Sequence, residues 1–204
     1  MKPHSATLLR AIASYQIEQN TQILLHFLHY KCLHLYNHSL SVRSMAYKLA
    51  QSLSLSEAEI SIIELAALLH DVGKIMLPDD ILQKAGKLTH QEFEVLKQHS
   101  ASGAQLLQRM KIPEKIIPLV YHHHEHWDGS GYPDGIAGNT IPLGARIIAL
   151  ADSFDAMTSH RPYQHPRTSA QALAELERCA GTQFDPSLTN QFRAMLQTEQ
   201  LHCS

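Results

Sequence analysis

The chain has 204 residues, of which 44% are hydrophobic, and its formal net charge is −2 with histidine counted as neutral. This length and apolar content suffice for one buried core with a small appendage, and the charge excludes a generally basic, non-specific nucleic-acid surface. Three widely spaced cysteines fit neither a disulfide framework nor a zinc motif, and no apolar run reaches membrane-spanning length. We therefore expect a soluble, cytoplasmic protein that binds no DNA and has no signal peptide or membrane segment.

Helical periodicity begins near the N-terminus. Residues 5–30 predict one or two amphipathic helices, in which Ile23, Leu24, Phe27 and Leu28 recur at the spacing of a single face. Further along, helix starts are indicated by capping boxes, in which a Ser or Thr is followed three residues later by Glu or Gln. These boxes are Ser56 with Glu59, Thr89 with Glu92, and Thr168 with Gln171.

The apolar stripe after the first capping box leads to a pair of polar residues. Ile62 and Leu69 belong to this stripe, and we expect Gly73 to end it, which puts His70 on the last helical turn with Asp71 beside it. The two side chains could simply cap the helix. The other histidines of the chain favour a metal site instead.

The later elements are also helical, and no segment alternates like a β-strand. Pro118 should kink or restart the helix in which it lies, whereas Asp185 and Pro186 have the residue types of an N-cap and first helical position. The glycine-rich stretch DGSGYPDGIAG predicts a loop, and aromatic residues in and beside it make that loop a candidate binding lip.

The stretch VYHHHEHWDG carries four of the 15 histidines of the chain. Neighbouring side chains of a helix point about 100° apart, so two of them can reach one ion only near a helix end. His38, His99 and Asp152 each lie on or beside an amphipathic helix and are further candidate ligands. Imidazoles with carboxylates suit iron, manganese, zinc or nickel, and the lack of cysteine ligands argues against a closed structural zinc site.

Several stretches together carry a family resemblance. The motif HDVGK is followed in order by LPDDILQKAGKLTHQEFEVLKQHSASGAQLL, by HHEHWDGSGYPDGIAGNTIPLGARIIALADSFDAMTSHRPY and by GTQFDP. This series closely resembles the HD-GYP family of metal-dependent phosphodiesterases. The resemblance implies an all-α fold with an HD-domain helical core and a glycine-rich GYP loop, and hydrolysis of the bacterial second messenger cyclic di-GMP. We expect residues 1–30 to form a short N-terminal helical extension and residues 31–204 the catalytic domain.

The resemblance also implies a set of metal ligands for two divalent transition-metal ions, with iron or manganese favoured and a third ion left open. Asp71 would bridge the two ions, whereas His122 and His126 would not be ligands, because the ligand pair of the family directly precedes a Glu. The implied ligands are His38, His70, Asp71, His99, His123, His124 and Asp152.

The remaining implied residues would contact substrate. Lys74 would face the scissile phosphate and act with Asp71 in catalysis, while Tyr132 of the GYP loop and Arg161 would bind the substrate. Trp127 either stacks on guanine or pins the loop. The product is expected to be pGpG, with GMP as a further product left open, because Gln164 stands where many members have a cation and His34 where some have a glutamate.

Three other functions stay open at this stage: hydrolysis of another cyclic or linear dinucleotide, a non-catalytic module that binds a nucleotide or protein, and a purely structural metal protein. Expected partners are cyclic di-GMP and, through the GYP loop, a GGDEF-type or other signalling protein, and homodimerisation is left open. About thirty residues ahead of the matched region are too few for a sensory domain.

Overall fold

The computed structural model describes the backbone of residues 3–159 and 165–202 and the side chains of residues 14–159 and 165–198. Within these ranges all regular elements are helices, and the one β-bridge, between Ala180 and Phe184, is isolated. The α-helices are α1 Pro3–Lys31, α2 Leu33–Ser52, α3 Glu57–Leu69, α4 Asp79–Leu82, α5 His90–Arg109, α6 Ile117–Tyr121, α7 Leu143–Thr158, α8 Ser169–Arg178 and α9 Pro186–His202, and the short 3-10 helices are Val72–Met76 and Gly138–Thr140. The all-α prediction is confirmed.

The first helix packs on the core through a face that overlaps the predicted one only in part. Leu24 and Leu28 are buried as expected, together with Leu25, but Ile23 and Phe27 are 45% and 54% exposed. Leu24, Leu25 and Leu28 follow the i, i+1, i+4 spacing of one stripe, which leaves Ile23 and Phe27 on its solvent flank. The apolar residues of α1 therefore cover a wider part of the helix surface than the face that is buried.

The predicted helix starts are confirmed. Each of the three capping boxes has both of its hydrogen bonds, from the backbone N–H to the cap side chain and from the cap N–H to the Glu or Gln. Asp185 Oδ1 accepts from the N–H groups of Ser187 and Leu188 at the start of α9. Pro118 lies in the first turn of α6, so the helix restarts there rather than being kinked.

Gly73 does not end α3 as predicted, because that helix already stops at Leu69 and Gly73 lies inside the following 3-10 helix. A Cβ at this position would lie 1.9 Å from the carbonyl oxygen of His99 and 2.6 Å from the backbone nitrogen of Gly103. The glycine therefore permits the 3-10 helix to approach the backbone of α5. This approach brings the segment that carries Asp71 next to the helix that carries His99.

Helix α7 lies at the centre of the molecule. Its residues Ile147, Ile148, Leu150 and Ala151 are fully buried, and it contacts α2, α3, α6, α8 and α9. A helix buried on most of its surface is held rigidly by its neighbours. Asp152, which follows Ala151 directly, is thereby held in place with its side chain 18% exposed.

Residues 122–137 form irregular backbone between α6 and the second 3-10 helix. This segment includes Gly131, Tyr132 and Pro133, and the last residue of the predicted loop, Gly138, begins the second 3-10 helix. Across the described residues, no helix combines the length and the apolarity needed to cross a bilayer.

Candidate metal centre

The seven predicted ligands come from five separate segments and meet in the interior. His38 lies on α2, His70 and Asp71 at the junction after α3, His99 on α5, His123 and His124 just after α6, and Asp152 on α7. They form two groups in which one ligand atom of each residue lies within 4.8 Å of the others. One group contains Asp71, His99, His123 and His124, and the other contains His38, His70 and Asp152.

Three of these histidines are oriented in the same way by the helix that precedes them. In each, Nδ1 lies 2.6 to 2.7 Å from the backbone carbonyl oxygen three residues earlier. Because a carbonyl only accepts hydrogen bonds, Nδ1 carries the proton and Nε2 presents its lone pair. The pairs are His70 with Ala67, His99 with Leu96, and His123 with Val120.

His38 is held by carboxylates instead. Its Nδ1 donates to Asp155 Oδ2 at 2.5 Å, and its Nε2 lies 3.0 Å from Asp152 Oδ1. The Asp155 carboxylate in turn accepts from the Ser159 hydroxyl at 2.8 Å. A carboxylate behind a histidine that faces a metal is a common device of metal sites, because it fixes the ring and raises the basicity of the nitrogen.

Asp155 was missed by the sequence reasoning. The available signal was its place three residues after Asp152 on the same amphipathic helix, which puts the two carboxylates on adjacent turns of one face. Its contact with His38 joins residues 117 positions apart, and no local pattern reveals a contact of that range.

The Nε2 atoms converge on Asp71. Asp71 Oδ1 lies 3.4 Å from His99 Nε2, while Oδ2 lies 3.5 Å from His70 Nε2 and 3.9 Å from His38 Nε2. Lys74 donates to Oδ2 at 2.6 Å. The carboxylate thus has one oxygen toward each of the two groups, which is the arrangement expected of a bridging ligand.

Two buried atoms of the centre lack a hydrogen-bond partner among the described residues, namely His70 Nε2 and Asp71 Oδ1. In addition, His99 Nε2 and His123 Nε2 face one another at 3.4 Å. Both of these nitrogens are acceptors, so a positive centre between them is needed for a favourable contact. An unsatisfied buried polar atom costs about 1–3 kcal/mol, and a bound cation would remove that cost for each of these atoms.

Burial makes most of the imidazoles neutral at pH 7. Burial together with Lys74 lowers the pKa of His99 to about 4, and burial with the nearby His99 lowers that of His124 to about 3. Burial also lowers the pKa of His70 and His123. Neutral imidazoles can act as ligands without competing protons, so the residues present fit divalent metal ions.

The carboxyl groups and His38 carry charge. Burial would raise the pKa of Asp71, but Lys74 and the surrounding histidines hold it well below its usual range. Burial opposes a charged His38, but hydrogen bonds to Asp152 and Asp155 outweigh it and raise the pKa of His38 to about 9. A metal at His38 would therefore have to displace a proton.

The predicted substrate residues lie at the edge of this centre or outside the described residues. The ring of Tyr132 lies 4.9 Å from that of His124, and the Lys97 ammonium lies 5.7 Å from the Tyr132 ring centroid. Lys74 is half-buried beside Asp71. Arg161 and Gln164 lie outside the described residues.

Trp127 has the contacts of a residue that pins the loop. Its backbone N–H donates to the backbone carbonyl of Gln183, and its backbone carbonyl accepts from the N–H of Gly138. The Arg146 guanidinium lies 5.6 Å from the centroid of the Trp127 ring. Arg146 is bonded to Asp185 at 2.6 Å. Of the two interpretations of Trp127, these contacts support the structural one.

The chain resembles known proteins of one family. The model of the HD domain family matches residues 22–188. A cyclic di-GMP phosphodiesterase of Thermotoga maritima is 40% identical over 165 residues, which are 80% of this chain and 45% of that protein. The cyclic di-GMP phosphodiesterase response regulator RpfG of Xanthomonas campestris is 47% identical, covering 74% of this chain and 41% of that protein. A 3'3'-cGAMP-specific phosphodiesterase of Vibrio cholerae is 42% identical, covering 69% of this chain and 27% of that protein.

Solved structures share the fold. Bd1817, an HDG"Y"P protein from Bdellovibrio bacteriovorus, aligns with a TM-score of 0.65 at 22% identity, covering 78% of this chain and 51% of that one. The HD domain of the Listeria monocytogenes phosphodiesterase PgpH aligns with a TM-score of 0.64 at 19% identity, covering 88% of this chain and 98% of that one. The chain spans less than half the length of the curated relatives described above. It belongs to the HD domain family, in its HD-GYP branch.

Proposed function

We propose that this chain is a metal-dependent phosphodiesterase that hydrolyses cyclic di-GMP to pGpG, with GMP as a further product left open. The observation that carries the proposal is the convergence of buried, neutral imidazole nitrogens on the Asp71 carboxylate. Two curated relatives of the chain are cyclic di-GMP phosphodiesterases at 40% and 47% identity, which supports the same substrate.

The proposed ligands are the seven residues of the two groups, and Asp71 is proposed to be a ligand of both ions. The proposed cofactors are two divalent iron or manganese ions. Bound there, such ions supply a positive field for the phosphodiester anion and lower the pKa of water so that a nucleophile exists at neutral pH. The ligand set favours this use, because Asp71 and Asp152 are its only carboxylates and the histidines add no negative charge. The centre would therefore keep net positive charge toward an anionic substrate.

Lys74 is proposed to stabilise the developing charge on the phosphoryl oxygens and to assist the leaving 3′ oxygen. Its Nζ donates to Asp71 at 2.6 Å, and its side chain is 19% exposed, so the ammonium stands between the buried carboxylate and the solvent from which substrate arrives. A charged donor aimed at an oxygen that gains charge acts mainly in the transition state. Asp71 orients this donor.

Tyr132 and Arg161 are proposed to bind the substrate outside the centre. The half-buried Tyr132 ring beside His124 offers a face on which a guanine base can stack. Burial raises the pKa of Tyr132 above its usual range, so the hydroxyl keeps its proton and adds no charge that would repel a phosphate. Arg161 would contact a substrate phosphate.

A second candidate function is hydrolysis of another cyclic dinucleotide. A relative at 42% identity is named as specific for 3'3'-cGAMP, so relatives of similar identity differ in base preference. A non-catalytic binding module is the third candidate, and the complete ligand set argues against it.

We infer a cytoplasmic location, because the substrate is an intracellular messenger, and a signalling partner such as a GGDEF-type protein on the GYP loop. The N-terminal segment of residues 1–30 is proposed to be an extension of the catalytic domain of residues 31–204, and homodimerisation through any surface is left to measurement.

The function is tested by incubating protein loaded with iron, manganese or nickel under anaerobic conditions with cyclic di-GMP, 3'3'-cGAMP and cyclic di-AMP. Chromatography of the products should show pGpG forming from cyclic di-GMP at the highest rate. A higher rate on 3'3'-cGAMP would favour the second candidate. Tight binding of the nucleotides without any product, with every metal, would leave only the binding module.

A further inference from the structure

A second constellation of possible metal ligands lies on the loop rather than in the helical core. Glu125, which follows the pair His123 and His124, is buried, and its Oε1 accepts from the backbone N–H groups of Asp134 at 2.7 Å and Gly135 at 3.1 Å. One carboxylate oxygen therefore ties the end of α6 to the chain just beyond the GYP residues. The other oxygen is not used in this contact.

His122 points its Nδ1 at the same place. This atom lies 3.5 Å from Glu125 Oε1 and 4.0 Å from Asp134 Oδ2, and one ligand atom from each of His122, Glu125 and Asp134 lies within 4.8 Å of the others. Both distances exceed the usual hydrogen-bond range of about 2.7–3.2 Å. The three side chains thus surround a gap without bonding directly across it.

Two atoms of these three side chains are buried and unpaired. Among the described residues, neither His122 Nδ1 nor Glu125 Oε2 has a hydrogen-bond partner, and the Glu125 side chain has no exposed surface. A buried carboxylate oxygen and an imidazole nitrogen left unsatisfied are costly. A cation bound by the three side chains offers such atoms a partner, because each can donate a lone pair.

A neighbouring tyrosine orients the third side chain of this cluster, Asp134. The Tyr121 hydroxyl donates to Asp134 Oδ1 at 3.1 Å, which holds this carboxylate while Oδ2 faces His122. Hydrogen bonds of this kind orient the ligands of metal sites. Asp134 is 48% exposed, so water can complete the coordination from the solvent side.

We propose that His122, Glu125 and Asp134 bind a divalent cation, such as zinc or manganese, at a site separate from the centre around Asp71. One imidazole and two carboxylates suit these borderline ions and balance their charge. The ion joins the end of α6 to the segment that follows Pro133. It therefore fixes the loop that positions Tyr132 beside His124. The site does not depend on the proposed reaction.

The test is metal analysis of full-length chain equilibrated with zinc alone and then separated from free metal. His122→Phe keeps a ring against Tyr121 but has no nitrogen, and Asp134→Asn weakens the third ligand. Each should hold one ion per chain fewer than the wild type. The matched control is His126→Gln, because His126 belongs to the same histidine run but bonds to the Ser130 hydroxyl outside the group. It should retain the wild-type content.

Hydrogen exchange gives a second, activity-independent result. Zinc should slow exchange of the Asp134 and Gly135 amides in the wild type and in His126→Gln, and should not do so in His122→Phe or Asp134→Asn. Equal metal content and equal exchange in all four proteins would overturn the proposal and leave His122 and Glu125 joined by a water molecule. An Asp71→Ala protein that keeps the His122-dependent ion but hydrolyses nothing separates this site from the proposed function.

Discussion

Four of the five histidines of the centre are held in two different ways, and the difference has chemical consequences. His70, His99 and His123 donate Nδ1–H to backbone carbonyls, whereas His38 donates to the Asp155 carboxylate. A carbonyl fixes the tautomer of a neutral ring, and burial then lowers the pKa. A carboxylate also stabilises the charged ring, so the pKa of His38 is raised to about 9 although it lies in the same interior. Backbone-held histidines are thus ready for metal, while His38 holds a proton until metal replaces it.

The largest effect should come from Asp71, because its carboxylate lies between both kinds of histidine. Asp71→Ala should lose most of the bound metal and lower the hydrolysis rate by more than about a hundredfold, the upper end of the effect of outer-shell metal-site changes. Metal analysis and a rate assay measure both effects. Asp80→Ala on α4, an exposed acidic residue, is the matched control and should behave as the wild type. Unchanged metal content in Asp71→Ala would mean that the two groups do not share this ligand.

Lys74→Ala should distinguish the contribution of the lysine charge to the rate from the binding of metal by the buried ligands. We expect the rate to fall by about a hundredfold or more while metal content stays the same, because a lost donor to the transition state costs about that much. Lys84→Ala removes an exposed lysine that pairs with Glu92 and serves as the control. A wild-type hydrolysis rate in Lys74→Ala would mean that this lysine only pairs with Asp71 and does not act in catalysis.

Asp155→Asn tests the difference between the two kinds of histidine directly. The amide oxygen of Asn can still accept from His38 Nδ1, as a backbone carbonyl does for His70, His99 and His123, but it carries no negative charge. Metal affinity should fall by about 10–100-fold, and the pKa of His38 in metal-free protein should fall from about 9. NMR titration of the ring and competition with a chelator measure these changes. Ser159→Ala removes only the hydroxyl bond to Asp155 and should have the smaller effect. Equal affinities in Asp155→Asn and wild type would make the carboxylate irrelevant to the metal.

The two kinds of histidine should also give metal-free protein opposite responses to pH. The pKa of His99 is lowered to about 4 and that of His124 to about 3, so the unfolded chain binds more protons below pH 6.5 and stability should fall as the pH drops from 6.5 toward 4. For His99 alone the loss is on the order of 3 kcal/mol. The raised pKa of His38 contributes stability that is present below pH 6.5 and is lost as the pH rises through about 9.

Thermal unfolding of metal-free protein between pH 4 and 9 should therefore show a maximum near neutrality. In Asp155→Asn the loss on the alkaline side should shrink, while the loss on the acidic side should remain. A stability that rises steadily toward pH 4 would contradict the assignment of neutral, buried histidines.

Much of this molecule follows from local sequence. Capping boxes such as Ser56 with Glu59 predicted helix starts because their hydrogen bonds lie within one turn, and His70 and Asp71 stood out because polar groups ended an apolar stripe. The buried face of α1 could not be chosen, because Ile23 and Phe27 are as apolar as the leucines that pack. The packing of α1 against α2, α3 and the first 3-10 helix decides between them.

Contacts between distant segments were likewise hidden. Gly73 was expected to end a helix, but it is required by the backbone of His99 on α5. His122 and His123 are adjacent and chemically identical, and only the family resemblance, not the local pattern, told them apart. In the structure His123 belongs to the group around Asp71, whereas His122 lies with Glu125 and Asp134. Directions of successive side chains in irregular backbone cannot be read from residue type.

The central claim is that the two groups around Asp71 hold two metal ions. The direct measurement is the metal content of His122→Phe protein, loaded with iron or manganese without air and freed of excess metal, since this variant lacks the proposed loop ligand. At least two ions per chain are expected. One ion per chain or fewer under every loading condition would contradict the account.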